Sequence, residues 1–212
     1  IKKKNKIPSI GFDGMADYPM LRIKGTIIKN IFHHIYHSIF KTQFTPDPIF
    51  PILLKRKYFL SLLNNSSLIK TDFNIRNSFA FGLVHNKSNA RNEYINNIIS
   101  NDYTFCYRGN ANYSLRLYET LCLGRIPLFI DTDCVLPLMG KINWKEICLW
   151  VDQSEIEFID KKILDYHQSM NSKEYTEKQI YCREVWLKYF SKEGFIKYLY
   201  QFLIQNKSID KS

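Results

Sequence analysis

The sequence is poor in the residues that break regular structure: 8 glycines and 7 prolines among 212 residues. That scarcity excludes collagen-like and low-complexity architectures. No apolar run reaches the length of about 18 residues that a membrane-spanning helix needs, so none is expected within this chain. The Lys-rich start is followed by Pro8 and Gly11 and lacks the apolar core of a signal peptide. The five cysteines, Cys106, Cys122, Cys134, Cys148 and Cys182, are odd in number and contain no CxxC pair. They read as buried reduced thiols rather than a disulfide framework or a metal site. No internal repeat appears. With neither leader nor span, the chain is expected in the cytoplasm, free or membrane-associated. The first residue is Ile1 rather than Met, which reads as a processed product or a piece of something longer.

Acidic residues are also in short supply, 20 against 30 Lys and Arg, for a net charge of +10 and a pI near 9.3. Part of the basic excess lies in Lys2, Lys3, Lys4 and Lys6 and in Lys55, Arg56 and Lys57. The rest is spread through a chain rich in Asn, Ile, Tyr and Phe, as AT-rich coding produces. A basic surface suits anionic or nucleotide substrates through long-range attraction. No known nucleic-acid-binding motif accompanies it, so nucleic acid is not an expected partner. At 45% hydrophobic and 15% aromatic residues the chain can bury a substantial core.

Periodicity gives the order of elements. Residues 7–12 read as a strand ended by Gly11 and Gly14. Apolar residues at helical spacing (Leu21, Ile28, Ile31, Ile35, Ile39) predict a helix over 21–40. Pro46, Pro48 and Pro51 then give a loop. A helix over 56–63, a strand over 68–75 and an amphipathic helix over 90–99 follow. His33 and His37 are at i,i+4 on the first helix, but no HExxH pattern accompanies them, and they read as surface or core-packing residues rather than metal ligands. Residues 103–107 form a β run, Arg108-Gly109-Asn110 a turn, and Ser114 to Leu123 a helix closed by Gly124. Residues 126–130 are the next strand. This strand–turn–helix–strand unit of about 30 residues predicts a parallel α/β sheet with right-handed crossovers. A short helix around Trp144 and a strand over 147–151 extend it. Helices over 156–170, 175–190 and 195–205 close the chain. The aromatic residues from Phe190 to Phe202 recur at helical spacing and read as core.

In such sheets ligands bind beyond the carboxyl ends of the strands. Arg108 and Gly109 stand at such an end, just before the Ser114 helix, whose N-terminus suits a phosphate. Gly109 permits close backbone approach, Arg108 can clamp phosphate oxygens, and Ser114 either caps the helix or bonds a phosphate. Glu119, three residues beyond Arg116, is either its ion-pair partner or a carboxylate for the cis hydroxyls of a ribose. Asp131-Thr132-Asp133 has the spacing of a DxD metal motif and equally of a turn.

Together, Tyr107-Arg108-Gly109, Ser114, Arg116, Glu119, Leu121, Gly124, Ile126-Pro127, Leu136-Pro137 and Ile142-Asn143-Trp144 resemble the exostosin-type (GT47-like) glycosyltransferases. That family's pattern runs RG…S.R..E.L..G.IP…LP…I.W. Asn74-Ile75-Arg76 upstream and Cys182-Arg183 with Trp186 downstream are similar in placement, so the resemblance covers roughly residues 55–200. It implies a GT-B enzyme, two Rossmann-like domains facing a cleft, of which this chain is the C-terminal half, a Rossmann-like parallel sheet flanked by helices, with C-terminal helices. Residues 1–54 would be an N-terminal strand, helix and linker region, 55–205 the nucleotide-sugar-binding domain and 206–212 a tail. The resemblance sets Arg108 and Arg116 on the donor's diphosphate, Glu119 on its ribose, and Arg76 on phosphate or acceptor. It implies inverting transfer of a sugar from a nucleotide-diphosphate donor to a hydroxyl of a glycan or other acceptor. No metal or other cofactor is expected. Asp13, Asp131 and Asp133 are the candidate general bases by position. Two other functions stand beside this one: a non-catalytic module that binds nucleotide sugar or a partner, and a basic nucleic-acid-binding protein.

Overall fold

The computed structural model describes residues 1–16, 20–41, 46–76, 87–109 and 111–207. Asn110 and the tail beyond 207 lie outside the described residues. Five parallel strands form one sheet: β1 (Ser9–Met15), β2 (Lys70–Arg76), β3 (Tyr103–Cys106), β4 (Ile126–Asp131) and β5 (Leu149–Asp152). Their order is β2-β1-β3-β4-β5. β1 pairs with β2 from Ser9↔Lys70 to Met15↔Arg76 and with β3 at Ile10↔Tyr103. The N-terminal strand is therefore an inner strand of the sheet, flanked by segments that come much later in the chain.

The helices are α1 (Met20–Phe40), α2 (Ile52–Asn65), α3 (Lys87–Ser100), α4 (Leu115–Cys122), α5 (Trp144–Ile147), α6 (Ile159–Gln168), α7 (Ser172–Tyr189) and α8 (Lys192–Lys207). A 3-10 turn over Gln153–Phe158 precedes α6. α3 packs on β1, and α4 on β3, β4 and α7; α2 packs on β2 and α6. The β1–β2 connection runs one way along the sheet and the later connections the other, so right-handed crossovers set helices on both faces. The result is a Rossmann-like three-layer α/β fold. Phe12 meets Phe73 and Phe105 edge-on at 6.4 and 5.9 Å between ring centroids in its core. Gly124, at φ 60°, closes α4 in the left-handed conformation, and its N–H donates to Leu121 O at 3.0 Å. α7 begins with a capping box: Asn171 Oδ1 accepts from the N–H groups of Lys173 and Glu174, and Glu174 accepts from Asn171 N at 2.7 Å.

Three expectations change. β1 does not end at its glycines; it runs through both to Met15. A Cβ on Gly11 would lie 2.7 Å from Asn101 Nδ2 and 2.9 Å from the Asn97 carbonyl oxygen, so this glycine lets α3 approach the strand. Gly11→Ala is expected to cost about 1–3 kcal/mol through overpacking against that backbone, read as a lower denaturant midpoint at unchanged slope. Second, the strand expected over 147–151 begins at Leu149, because Ile147 still belongs to α5; the apolar stripe of α1, whose surroundings the spacing left open, faces solvent, because the helix packs through its other side, where Asn30 donates to Pro48 O at 2.7 Å. Third, Phe195, Tyr200 and Phe202 on α8 are exposed rather than core. Phe190 does pack, against Tyr118 and Trp144.

Candidate functional site

The strand order reverses between β1 and β3, and the crevice beyond their carboxyl ends is where open α/β sheets bind ligands. The site's residues arrive there from four elements. β1 ends in Asp13-Gly14-Met15, β2 in Asn74-Ile75-Arg76, and β3 leads into Tyr107-Arg108-Gly109; α4 starts just after Ser114.

Arg116, in the first turn of α4, reaches back over β1. Its guanidinium donates to the Asp13 carbonyl oxygen at 2.8 Å and lies 4.4 Å from the Phe12 ring centroid and 5.7 Å from that of Tyr94. Its Nε is buried without a hydrogen-bond partner among the described residues. Gly14 makes room for it: a Cβ there would be 2.6 Å from an Arg116 nitrogen. Arg56 of α2 joins the two strand ends, donating to Met15 O at 2.7 Å and to Arg108 O at 2.5 Å. Sequence reasoning placed Arg56 in a basic run and missed this bridge, because both acceptors are backbone atoms far along the chain.

Arg108 itself is half-buried, and its Nε donates to Gly109 O at 3.3 Å. Beside Gly109 the space is open, since a Cβ there would meet nothing nearer than Tyr113 O at 4.0 Å. Ser114 is the residue before α4 and makes no side-chain cap hydrogen bond. The first N–H groups of α4 are therefore not capped by that side chain, which is itself buried.

Two of the expected residues are tied to each other. Asp13, 4% exposed, accepts from Arg76 through both oxygens and from Asn74 Nδ2 at 3.0 Å. Arg76 also pairs with Glu93 at 2.9 Å, and the Asp13 and Glu93 carboxylates hold the guanidinium well above its ordinary pKa despite partial burial. Among the described residues no ion pair joins Arg116 to Glu119. Glu119 instead accepts a hydrogen bond from the Tyr94 hydroxyl. It lines a pocket of about 240 Å³ with Arg91, Tyr94, Ile95, Tyr118 and Trp186. Burial pushes the Tyr94 hydroxyl far above its usual pKa, with the Arg116 charge opposing, so it stays a donor.

Asp131 ends β4 and Asp133 follows two residues later, in a turn whose Thr132 is hydrogen-bonded to Asn112 of the loop before α4. Asp131 accepts from the Asp133 N–H at 3.0 Å in a tight turn with Asp133 at φ 55°. Both border a second pocket, about 620 Å³, with Lys141, Asn143, Lys145 and Trp150. Among the described residues no cluster of three His, Cys, Asp or Glu is disposed to hold a metal ion. Of the five thiols expected to be buried, Cys106, Cys148 and Cys182 are, while Cys122 and Cys134 are only partly so; burial raises the pKa of Cys106 and of Cys182 to about 12 each.

The chain is 36% identical over 58 residues, 27% of its length, to a probable β-1,4-xylosyltransferase of Arabidopsis thaliana. It is 34% identical over 77 residues to the probable glucuronosyltransferase 47 A of Physcomitrium patens, and 40% over 52 residues to exostosin-1 of Drosophila melanogaster. Those segments are 36% and 24% of this chain. They amount to 14%, 16% and 7% of the three relatives, in the same order. No protein-family model matches the chain. The chain is exostosin-like in sequence and Rossmann-like in fold.

Proposed function

We propose that this chain is the nucleotide-sugar-binding half of a GT-B glycosyltransferase that transfers a sugar with inversion to a hydroxyl acceptor. The observation that carries the reading is the convergence of Arg108, Arg116 and the start of α4 at the strand-order reversal, with Glu119 one turn further along the same helix. The names of the similar proteins, xylosyl- and glucuronosyltransferases, support it.

In this reading the donor's diphosphate lies against the uncapped α4 N-terminus, beside open Gly109. Arg108 and Arg116 supply charge-assisted hydrogen bonds that strengthen as the leaving diphosphate gains charge. Glu119, with one oxygen held by Tyr94, offers the other to a ribose hydroxyl, and the aromatic wall of its pocket receives the nucleoside. A general base removes the acceptor hydroxyl's proton as that oxygen attacks the anomeric carbon. Asp13 is engaged by Arg76 and orients it. Asp131 and Asp133, with no described ion pair, remain the candidates for that base.

Isothermal titration with a panel of nucleoside diphosphates tests the reading. The parent chain is expected to bind at least one. Arg108→Ala and Glu119→Ala should each weaken that binding by roughly 10- to 150-fold, the effect of losing a hydrogen-bond partner of a charged group, about 1.5–3 kcal/mol. Circular dichroism should stay unchanged. A parent that binds none of the panel would sink the reading.

A further inference from the structure

α1 leaves one whole face without a partner among the described residues. Its packed side carries Asn30, bonded to Pro48 O, and His34, whose Nε2 is 2.8 Å from Asp47 O. The opposite side bears Leu21, Ile28, Phe32, Ile35 and Ile39, spaced to form one stripe. Leu21 is 84% exposed, Phe32 66% and Ile39 66%. Beside this stripe stand Lys24 and Lys29, both exposed, and α1 contains no Asp or Glu.

We propose that α1 seats the chain on an anionic lipid surface, lying in the plane of the headgroups. An exposed apolar stripe flanked by Lys and Arg is the construction of an interfacial helix, with the basic side chains reaching the headgroups. At 21 residues α1 is about 31 Å long, yet no described helix is long and apolar enough to cross a membrane. A lipid surface fits the charge better than a second copy does. Two copies meeting symmetrically through this face would bring the same lysines together.

Co-sedimentation of the full chain with vesicles is the test. One set contains phosphatidylcholine alone, and the other equal parts phosphatidylcholine and phosphatidylglycerol. The chain is expected to pellet with the anionic vesicles and to be released by salt. Phe32→Ser with Ile39→Ser should abolish pelleting. Lys24→Gln with Lys29→Gln should weaken it at least about tenfold. These side chains are solvent-exposed, so circular dichroism should be unchanged in both variants. Failure to bind anionic vesicles overturns the proposal. So does pelleting that survives both α1 variants but is lost in Phe202→Ser on α8. Light scattering that shows a dimer dissolved by Phe32→Ser, with no lipid binding, assigns the face to a second copy instead. Nucleotide titration is a separate readout, so neither result bears on the other.

Discussion

Asp102→Asn is expected to lower the unfolding free energy by about 3–5 kcal/mol, the effect of removing the buried partner of a hydrogen-bonded ion pair. Asp102 has no exposed surface, and its two oxygens collect donors from three parts of the chain. Oδ1 accepts from Lys2 Nζ at 2.8 Å and from the Tyr175 hydroxyl at 3.1 Å. Oδ2 accepts from Asn5 Nδ2 at 2.7 Å and from the N–H and hydroxyl of Ser9, each at 2.9 Å. An amide in that position turns one acceptor into a donor facing donors, and leaves the Lys2 ammonium without its counter-charge. This carboxylate ties the start of β1 and the Lys2–Asn5 arm to the base of β3 and to α7.

The same network sets an acid limit on stability. Burial alone would raise the Asp102 pKa, but hydrogen bonds from Lys2 and Ser9 outweigh it and hold the carboxyl below its ordinary value. Near pH 4 the unfolded chain therefore binds more protons than the folded one. The contribution is complete above about pH 3.9 and is lost as pH falls through the lower folded value. His167 acts earlier. Burial lowers its pKa, and its ring sits between the Tyr103 hydroxyl at 2.9 Å and Asn5 O at 2.8 Å. The unfolded chain takes up that proton from about pH 6.5 downward while the folded one resists. Urea midpoints should therefore fall in two stages on acidification, and Asp102→Asn should flatten the lower one. A parent and variant with superimposable midpoints across that range would refute this account.

Arg116→Ala is the functional change expected to cost most. In the proposed site it removes a phosphate ligand, the cation over Phe12 and the anchor on Asp13 O together. Nucleoside diphosphate affinity should fall by more than about 100-fold, at or beyond the upper end for a single charged hydrogen-bond partner. Arg116→Lys restores the charge but not the planar fork, and should recover only part of the loss. The fold should survive, with a stability loss of about 1–2 kcal/mol from the lost cation–π contact and hydrogen bond. Unchanged affinity in Arg116→Ala would move the donor site elsewhere.

What the sequence made legible is local. Gly124, Pro127 and the apolar runs at 103–107 and 126–130 mark a strand–helix–strand unit because turn chemistry and periodicity act over a few residues. Arg108, Ser114, Arg116 and Glu119 stood out through their joint spacing on that unit. The remainder depends on contacts between distant segments. Nothing near Asp102 announces that its partners are Lys2, Ser9 and Tyr175, and nothing near Arg76 shows that Asp13 and Glu93 hold it. Periodicity located the stripe of α1 but could not say whether protein or solvent lay against it. The same holds for Phe195 and Phe202 on α8, whose spacing read as core.

The position of β1 has a consequence for how the protein is made. β1 leaves the ribosome before its neighbours, yet those begin only at Lys70 and Tyr103. At ordinary synthesis rates the segment from Met15 to Tyr103 takes roughly 4–18 s to appear. Through that interval Ile10 and Phe12, wholly buried in the finished sheet, lack their cover; both edges of β1 offer unpaired backbone groups until β2 arrives, and one edge does until β3 arrives. The nascent chain is thus most exposed to mispairing before its third strand arrives, and a holdase or slow initiation of folding would matter most there.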